Sequence, residues 1–90
     1  MTKQKNKPSD RAVIERLSQI TGEQLCWLIK KVGITGLKYA TMVDPPLQTA
    51  SGVWAYGRKK TFPFRMIKPL IERYDPHFLL ALLKQKWVIE

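Results

Sequence analysis

Apolar residues recur along this chain at intervals of three and four, the spacing that gathers side chains on one face of a helix. Val13, Ile14, Leu17 and Ile20 form the first series, with Ser9 or Asp10 ahead of it as a cap. The next opens on T-G-E-Q, where Thr21 as N-cap and Gln24 three residues on make a capping-box pattern. Leu25, Leu28, Ile29 and Val32 follow on one face, and Gly33 suits the C-terminal stop. Thr35 is expected to cap a third, shorter helix carrying Leu37, Tyr39, Ala40 and Val43. Asp44-Pro45-Pro46 interrupts it, because proline lacks the N–H a helix interior needs and turns its predecessor away from helical angles.

Residues 47–56 then make a helix-length segment without a single charge, closed by Gly57 and followed at once by Arg58, Lys59 and Lys60. Phe62-Pro63 starts another periodic run through Phe64, Ile67, Leu70 and Ile71. Asp75-Pro76 sets a cap and a first-turn proline ahead of HFLLALLKQ, a final helix. The pattern predicts an all-α protein of five to six short helices, with no repeat of fixed period and a short C-terminal strand as the one candidate for extended structure. Three segments follow from it: a basic arm over residues 1–8, a helical body over 9–85, and an apolar tail over 86–90.

Composition narrows the class of partner. Ninety residues suit one domain, and a hydrophobic fraction of 44% suffices for a globular core. No apolar run approaches the roughly 20 residues of a membrane span. The stretch MTKQKNKPSDR lacks the apolar segment of a signal peptide, and a single cysteine, Cys26, rules out an internal disulfide. A cytoplasmic protein is expected. Sixteen Lys and Arg against seven Asp and Glu leave a formal charge of +9, which favours a polyanionic partner.

From residue 22 to residue 83 the chain resembles the lambda-repressor-like helix-turn-helix family of phage, plasmid and bacterial regulators. The resemblance rests on T-G-E-Q-L (21–25), V-G-I-T-G (32–36), Ala40 as the small residue of the second helix, W-A-Y-G-R (54–58), Pro63 and Asp75-Pro76. Counting Gly36 as the first of a twenty-residue unit, the inward positions fall on Tyr39, Ala40, Val43, Pro45, Ala50 and Val53, all apolar or proline. Two helices meeting at a steep angle need a small residue where their backbones approach, and Ala40 supplies it. Three departures stand out. Asp44 occupies a turn position usually held by Gly, Ala55 replaces an acidic residue, and matching Trp54 and Gly57 requires one extra residue in the turn.

The resemblance implies a recognition helix at about 47–56 that enters the major groove of double-stranded DNA. Ala50, Val53 and Trp54 would pack inward, leaving Gln48, Thr49, Ser51, Gly52 and Ala55 outward. A groove about 12 Å wide admits a helix closely when its outward residues are small, and neutral polar groups can pair with base edges. Gln48, Thr49, Ser51 and Gly52 are therefore the candidate base-reading residues. Positive charge belongs beside phosphates. Thr35, Lys38, Tyr56, Arg58, Lys59 and Lys60 are the candidate phosphate contacts, with packing the favoured role for Tyr56. Lys3, Lys5 and Lys7 suit an arm that reaches a neighbouring groove, or a plain tail. Family members act as homodimers on palindromic operators, so a repressor of that kind is expected. Locally, only the apolar face of residues 13–20 and the apolar residues 87–89 bear on a dimer, and each could instead complete the monomer core.

Nothing in the sequence points to catalysis. His77 stands alone, and Cys26 sits among apolar neighbours where a thiol is inert. One His and one Cys cannot make a four-ligand zinc site, and no Gly-rich phosphate loop occurs. No enzyme activity, cofactor, metal, small-molecule substrate or membrane contact is expected. Trp27, Trp54, Phe62, Phe64 and Tyr74 read as core. Two alternatives stay open: a protein-interaction module, antitoxin or inhibitor that keeps the fold without reading DNA, and an RNA or single-strand binder driven by charge and aromatics.

Overall fold

The computed structural model describes residues 9–89, and every regular element among them is helical. In chain order they are α1 (Ser9–Leu17), α2 (Gly22–Lys31), α3 (Gly36–Met42), α4 (Ala50–Trp54), α5 (Lys68–Arg73) and α6 (Pro76–Lys84). A 3-10 turn, Ala55–Arg58, extends α4, and a second, Phe64–Met66, precedes α5. No helix among the described residues is long and apolar enough to cross a membrane. The basic arm, with Lys3, Lys5 and Lys7, lies outside the described residues.

Helix boundaries are set by local chemistry. Thr21 and Gln24 form the reciprocal box: Gln24 N donates to Thr21 Oγ1 at 3.2 Å, and Thr21 N donates to Gln24 Oε1 at 2.8 Å. Gly33, at φ 84°, ends α2 as expected. Thr35 Oγ1 accepts from Lys38 N at the start of α3, and Asp75 Oδ1 accepts from His77 N at the start of α6. Asp10 lies within the first turn of α1 rather than ahead of it.

The run beginning at Phe62-Pro63 is not one helix. It splits at Ile67 into the 3-10 turn and α5, because Pro69 occupies the first turn of α5. A continuous helix through Arg65 would drive the Pro69 ring into the carbonyl four residues earlier.

The core gathers one face from every helix. Leu17, Leu25, Leu28, Ile29, Tyr39, Ala40, Val53, Met66, Ile67, Leu70, Leu79 and Leu83 are fully buried. α1 packs on α6, α2 lies along the 3-10 turn that extends α4, and α3 packs on α4. Tyr39, the largest buried side chain, donates its hydroxyl to the Met66 carbonyl. That bond satisfies a polar atom that would otherwise be costly inside an apolar core.

Several sequence expectations fail at the periphery. Leu37 is 61% exposed and Phe64 47% exposed, so neither is a core residue. Leu37 sits in the first turn of α3 and Phe64 opens the 3-10 turn before α5. Pro45 is exposed and Ala50 only half-buried, although both were expected to face inward. Trp27, Trp54, Phe62 and Tyr74 pack against the core at its edge while staying half-exposed.

The tail carries no strand among the described residues. Trp87 N instead donates to Leu83 O, and the Trp87 ring stands edge-on against Trp27 with centroids 5.2 Å apart. The apolar face of residues 13–20 completes this core, since Val13, Leu17 and Ile20 are all buried.

Candidate nucleic-acid interface

Residues 43–60 carry all the candidate residues except Thr35 and Lys38, which belong to the start of α3. After α3, the peptide between Asp44 and Pro45 is cis, and Arg65 Nη1 donates to Pro45 O at 3.1 Å. Leu47 N then donates back to Ala40 O at 2.9 Å, tying the connection to the body of α3. Thr49 adopts extended angles, φ −141° and ψ 158°, and its Oγ1 accepts from Gly52 N at 3.1 Å. Such a hydroxyl is the N-cap, so the helix begins at Ala50.

This corrects the expected span of 47–56. Gln48 and Thr49 precede the helix, held by the α3 connection and the cap. At the other end Gly57 does not terminate it. The chain tightens into the 3-10 turn and runs on through Arg58, so Arg58 belongs to the helical rod and only Lys59 and Lys60 lie beyond it. The end is fixed from outside: Gly22 N donates to Lys59 O at 2.9 Å. A β-carbon at residue 22 would fall 1.8 Å from Tyr56 O, so only glycine lets α2 approach this closely.

One side of the rod faces outward without a formal charge. Gln48, Thr49, Ser51 and Ala55 are exposed, and Val53 is buried beneath them. Ser51 and Ala55 line a shallow cleft together with Trp54, Arg58 and Lys59. Gly52 is half-buried against Leu47, and its N–H is taken by Thr49. The Thr49 oxygen is engaged as an acceptor by the cap, which leaves its O–H free to donate. Thr35 is in the same position at the start of α3.

Arg58, Lys59 and Lys60 are all exposed, as are Thr35 and Lys38. Tyr56 lies half-buried against the core. Cys26 sits beneath the rod, its Sγ donating to Val53 O at 3.6 Å. Burial pushes its thiol above the usual range, with the Lys30 charge pulling the other way. A thiol held protonated is a poor nucleophile. His77 Nε2 meets Asp10 Oδ1 at 2.7 Å and joins α6 to α1. Among the described residues no three His, Cys, Asp or Glu side chains cluster as a metal site.

Sequence reasoning missed Lys30. Its ammonium lies 5.0 Å from the centre of the Trp54 ring, bridging α2 to the end of α4. Twenty-four positions separate the two residues, and no local spacing carries that pairing.

No protein-family model, no curated protein and no solved structure matches this chain.

Proposed function

We propose that this protein is a sequence-specific double-stranded DNA-binding regulator, a repressor with a lambda-repressor-like helix-turn-helix built from α3 and α4. One observation carries the reading. A short helical rod and the two residues leading into it turn a neutral face outward. Gln48 and Thr49 lie ahead of the helix, Ser51 on it and Ala55 in the 3-10 turn, and the end of the rod delivers Arg58, Lys59 and Lys60. Small neutral groups allow close approach to base edges, while cations at the end of the rod meet the backbone. Gln48, ahead of the helix, has the reach for bidentate pairing with adenine N6 and N7. Thr35 and Lys38 at the start of α3 extend the phosphate contacts. The net charge of +9 supplies the non-specific attraction on which such readout is superimposed. The protein acts as a homodimer on a palindromic operator in the cytoplasm, without cofactor or catalysis.

Selection from a random duplex pool tests the reading, since it returns a motif, its symmetry and its half-site spacing together. Gln48→Ala should relax preference at one base position at a cost of about 1–3 kcal/mol, whereas Lys59→Ala should weaken all duplexes alike. An unenriched pool, or equal losses on cognate and random duplex from both changes, would sink it. Preference for unpaired oligonucleotides would favour the single-strand binder, and indifference to every nucleic acid the protein-interaction module.

A further inference from the structure

Three lysines outside the rod are each held over a tryptophan. Lys30 lies over Trp54 at 5.0 Å, Lys31 over Trp27 at 5.8 Å, and Lys86 over Trp87 at 5.1 Å. The rings are themselves connected. Trp27 and Trp54 line one small cleft, and Trp27 stands against Trp87 at 5.2 Å. Trp54 also lines the cleft of Ser51, Ala55, Arg58 and Lys59. The result is a continuous belt from the basic end of the rod, along α2, to the C-terminal tail.

None of these lysines is neutralised by a carboxylate among the described residues, where the ion pairs are Lys68–Glu72 and His77–Asp10. All three lysines are exposed, so an ammonium resting on its ring still has donors open to solvent while its methylene stem lies on apolar surface. The belt therefore presents cations that are already positioned and have no acidic partner. Glu23 lines the cleft between Trp27 and Trp54, so an anion would follow the lysine rim rather than enter the cleft.

Position supplies the second argument. α2 runs beside the rod, joined to it at Gly22 and Lys59, at Cys26 and Val53, and at Lys30 and Trp54. Packed helices lie about 8–10 Å apart. A major groove about 12 Å wide puts each wall about 6 Å from the axis of a helix lying within it, so a helix packed about 8–10 Å away stands over the wall rather than inside the groove. A helix flanking the rod thus faces one rail of the groove.

We infer that Lys30, Lys31 and Lys86, stacked on Trp54, Trp27 and Trp87, form a second phosphate track that grips the backbone of double-stranded DNA beyond the bases read by the rod. The inference rests on the duplex-reading proposal and widens its footprint. It adds affinity without sequence information.

The test is a salt titration of binding to random-sequence duplex DNA, with an unpaired oligonucleotide of equal length as the second probe. Lys31 and Lys86 are the informative pair, being farthest along the belt from Arg58 and Lys59. In the double variant Lys31→Gln/Lys86→Gln, the slope of log K against log salt should fall by about 1.8, since each phosphate contact contributes about 0.9. Lys31→Arg/Lys86→Arg should restore it, and preference among duplex sequences should not change. Should the double variant lose its helical circular dichroism, each single Gln variant is expected to show half the effect. An unchanged slope, with Arg58→Gln/Lys59→Gln lowering it, overturns the belt and leaves the reading face standing. A slope that neither pair lowers overturns both. Weaker binding of the unpaired probe alone also overturns the belt, in favour of base stacking on the tryptophans.

Discussion

The Trp54 indole lies directly across Gly36, so close that a β-carbon at residue 36 would stand 2.5 Å from Trp54 Nε1. The first turn of α3 and the last residue of α4 are thereby fixed against one another, and with them the angle at which the outward face is presented. The same indole carries Lys30 on α2. Three helices meet on one ring.

Gly36→Ala should therefore destabilise the fold by about 1–3 kcal/mol, the usual cost of overpacking a filled site. Urea unfolding measures it. Gly52→Ala should behave oppositely. A β-carbon there would meet Leu47 at an ordinary 3.7 Å, and replacing glycine inside a helix gains about 0.5–1 kcal/mol. If both substitutions destabilise alike, the packing of Trp54 on Gly36 is not what sets the cost.

Thr49 caps the rod, so Thr49→Ala should cost about 1 kcal/mol, while Thr49→Ser, which retains the oxygen, should cost much less. Thermal melts of the two variants are the measurement. Equal losses would mean that the methyl group, not the cap, stabilises the segment.

Alkaline pH should weaken the fold through Tyr39 and Cys26. Burial raises both groups above their ordinary values, so the native state holds their protons after the unfolded chain has released them. Stability should be level up to the ordinary thiol value of about 8.5 and fall as pH rises past it, more steeply beyond the ordinary tyrosine value of about 10. Cys26→Ala should flatten the first part of the decline and Tyr39→Phe the second. Denaturant midpoints measured between neutral and alkaline pH decide it, and a level profile in the unsubstituted protein would contradict the burial of both groups.

α1 offers a test of what holds a terminal helix. Leu17 is completely buried, and Leu17→Ala should cost about 2–5 kcal/mol. Asp10→Ala removes the partly exposed contact with His77 and the acidic group of the first turn of α1, and should cost about 1 kcal/mol or less. Comparable losses at the two sites would mean that polar tethering, not burial, docks α1 on α6.

Much of this fold was legible in one dimension because its punctuation is local. Thr21 with Gln24, Gly33, Thr35 and Asp75-Pro76 act within a turn or two of themselves, and each helix they bound is where the pattern put it. The α4 boundary was misread for a reason of the same kind: residues 47–56 lack charge throughout, and absence of charge does not distinguish a helix from the connection leading into it. Thr49 was the cap in plain sight, but the hydrogen bond from Leu47 to Ala40, which keeps the preceding residues out of the helix, joins separate elements.

The sequence by itself determined an all-helical body with one buried face per helix, a neutral stretch and the basic residues after it. Only the tertiary structure decided that Leu37 and Phe64 face solvent, that Arg58 belongs to the rod, and that Lys30 sits on Trp54. Periodicity reports which residues share a face, because helical geometry repeats every few positions. It carries no record of which face of which helix comes to rest against another, since that follows from shape and close approach between residues distant in the chain.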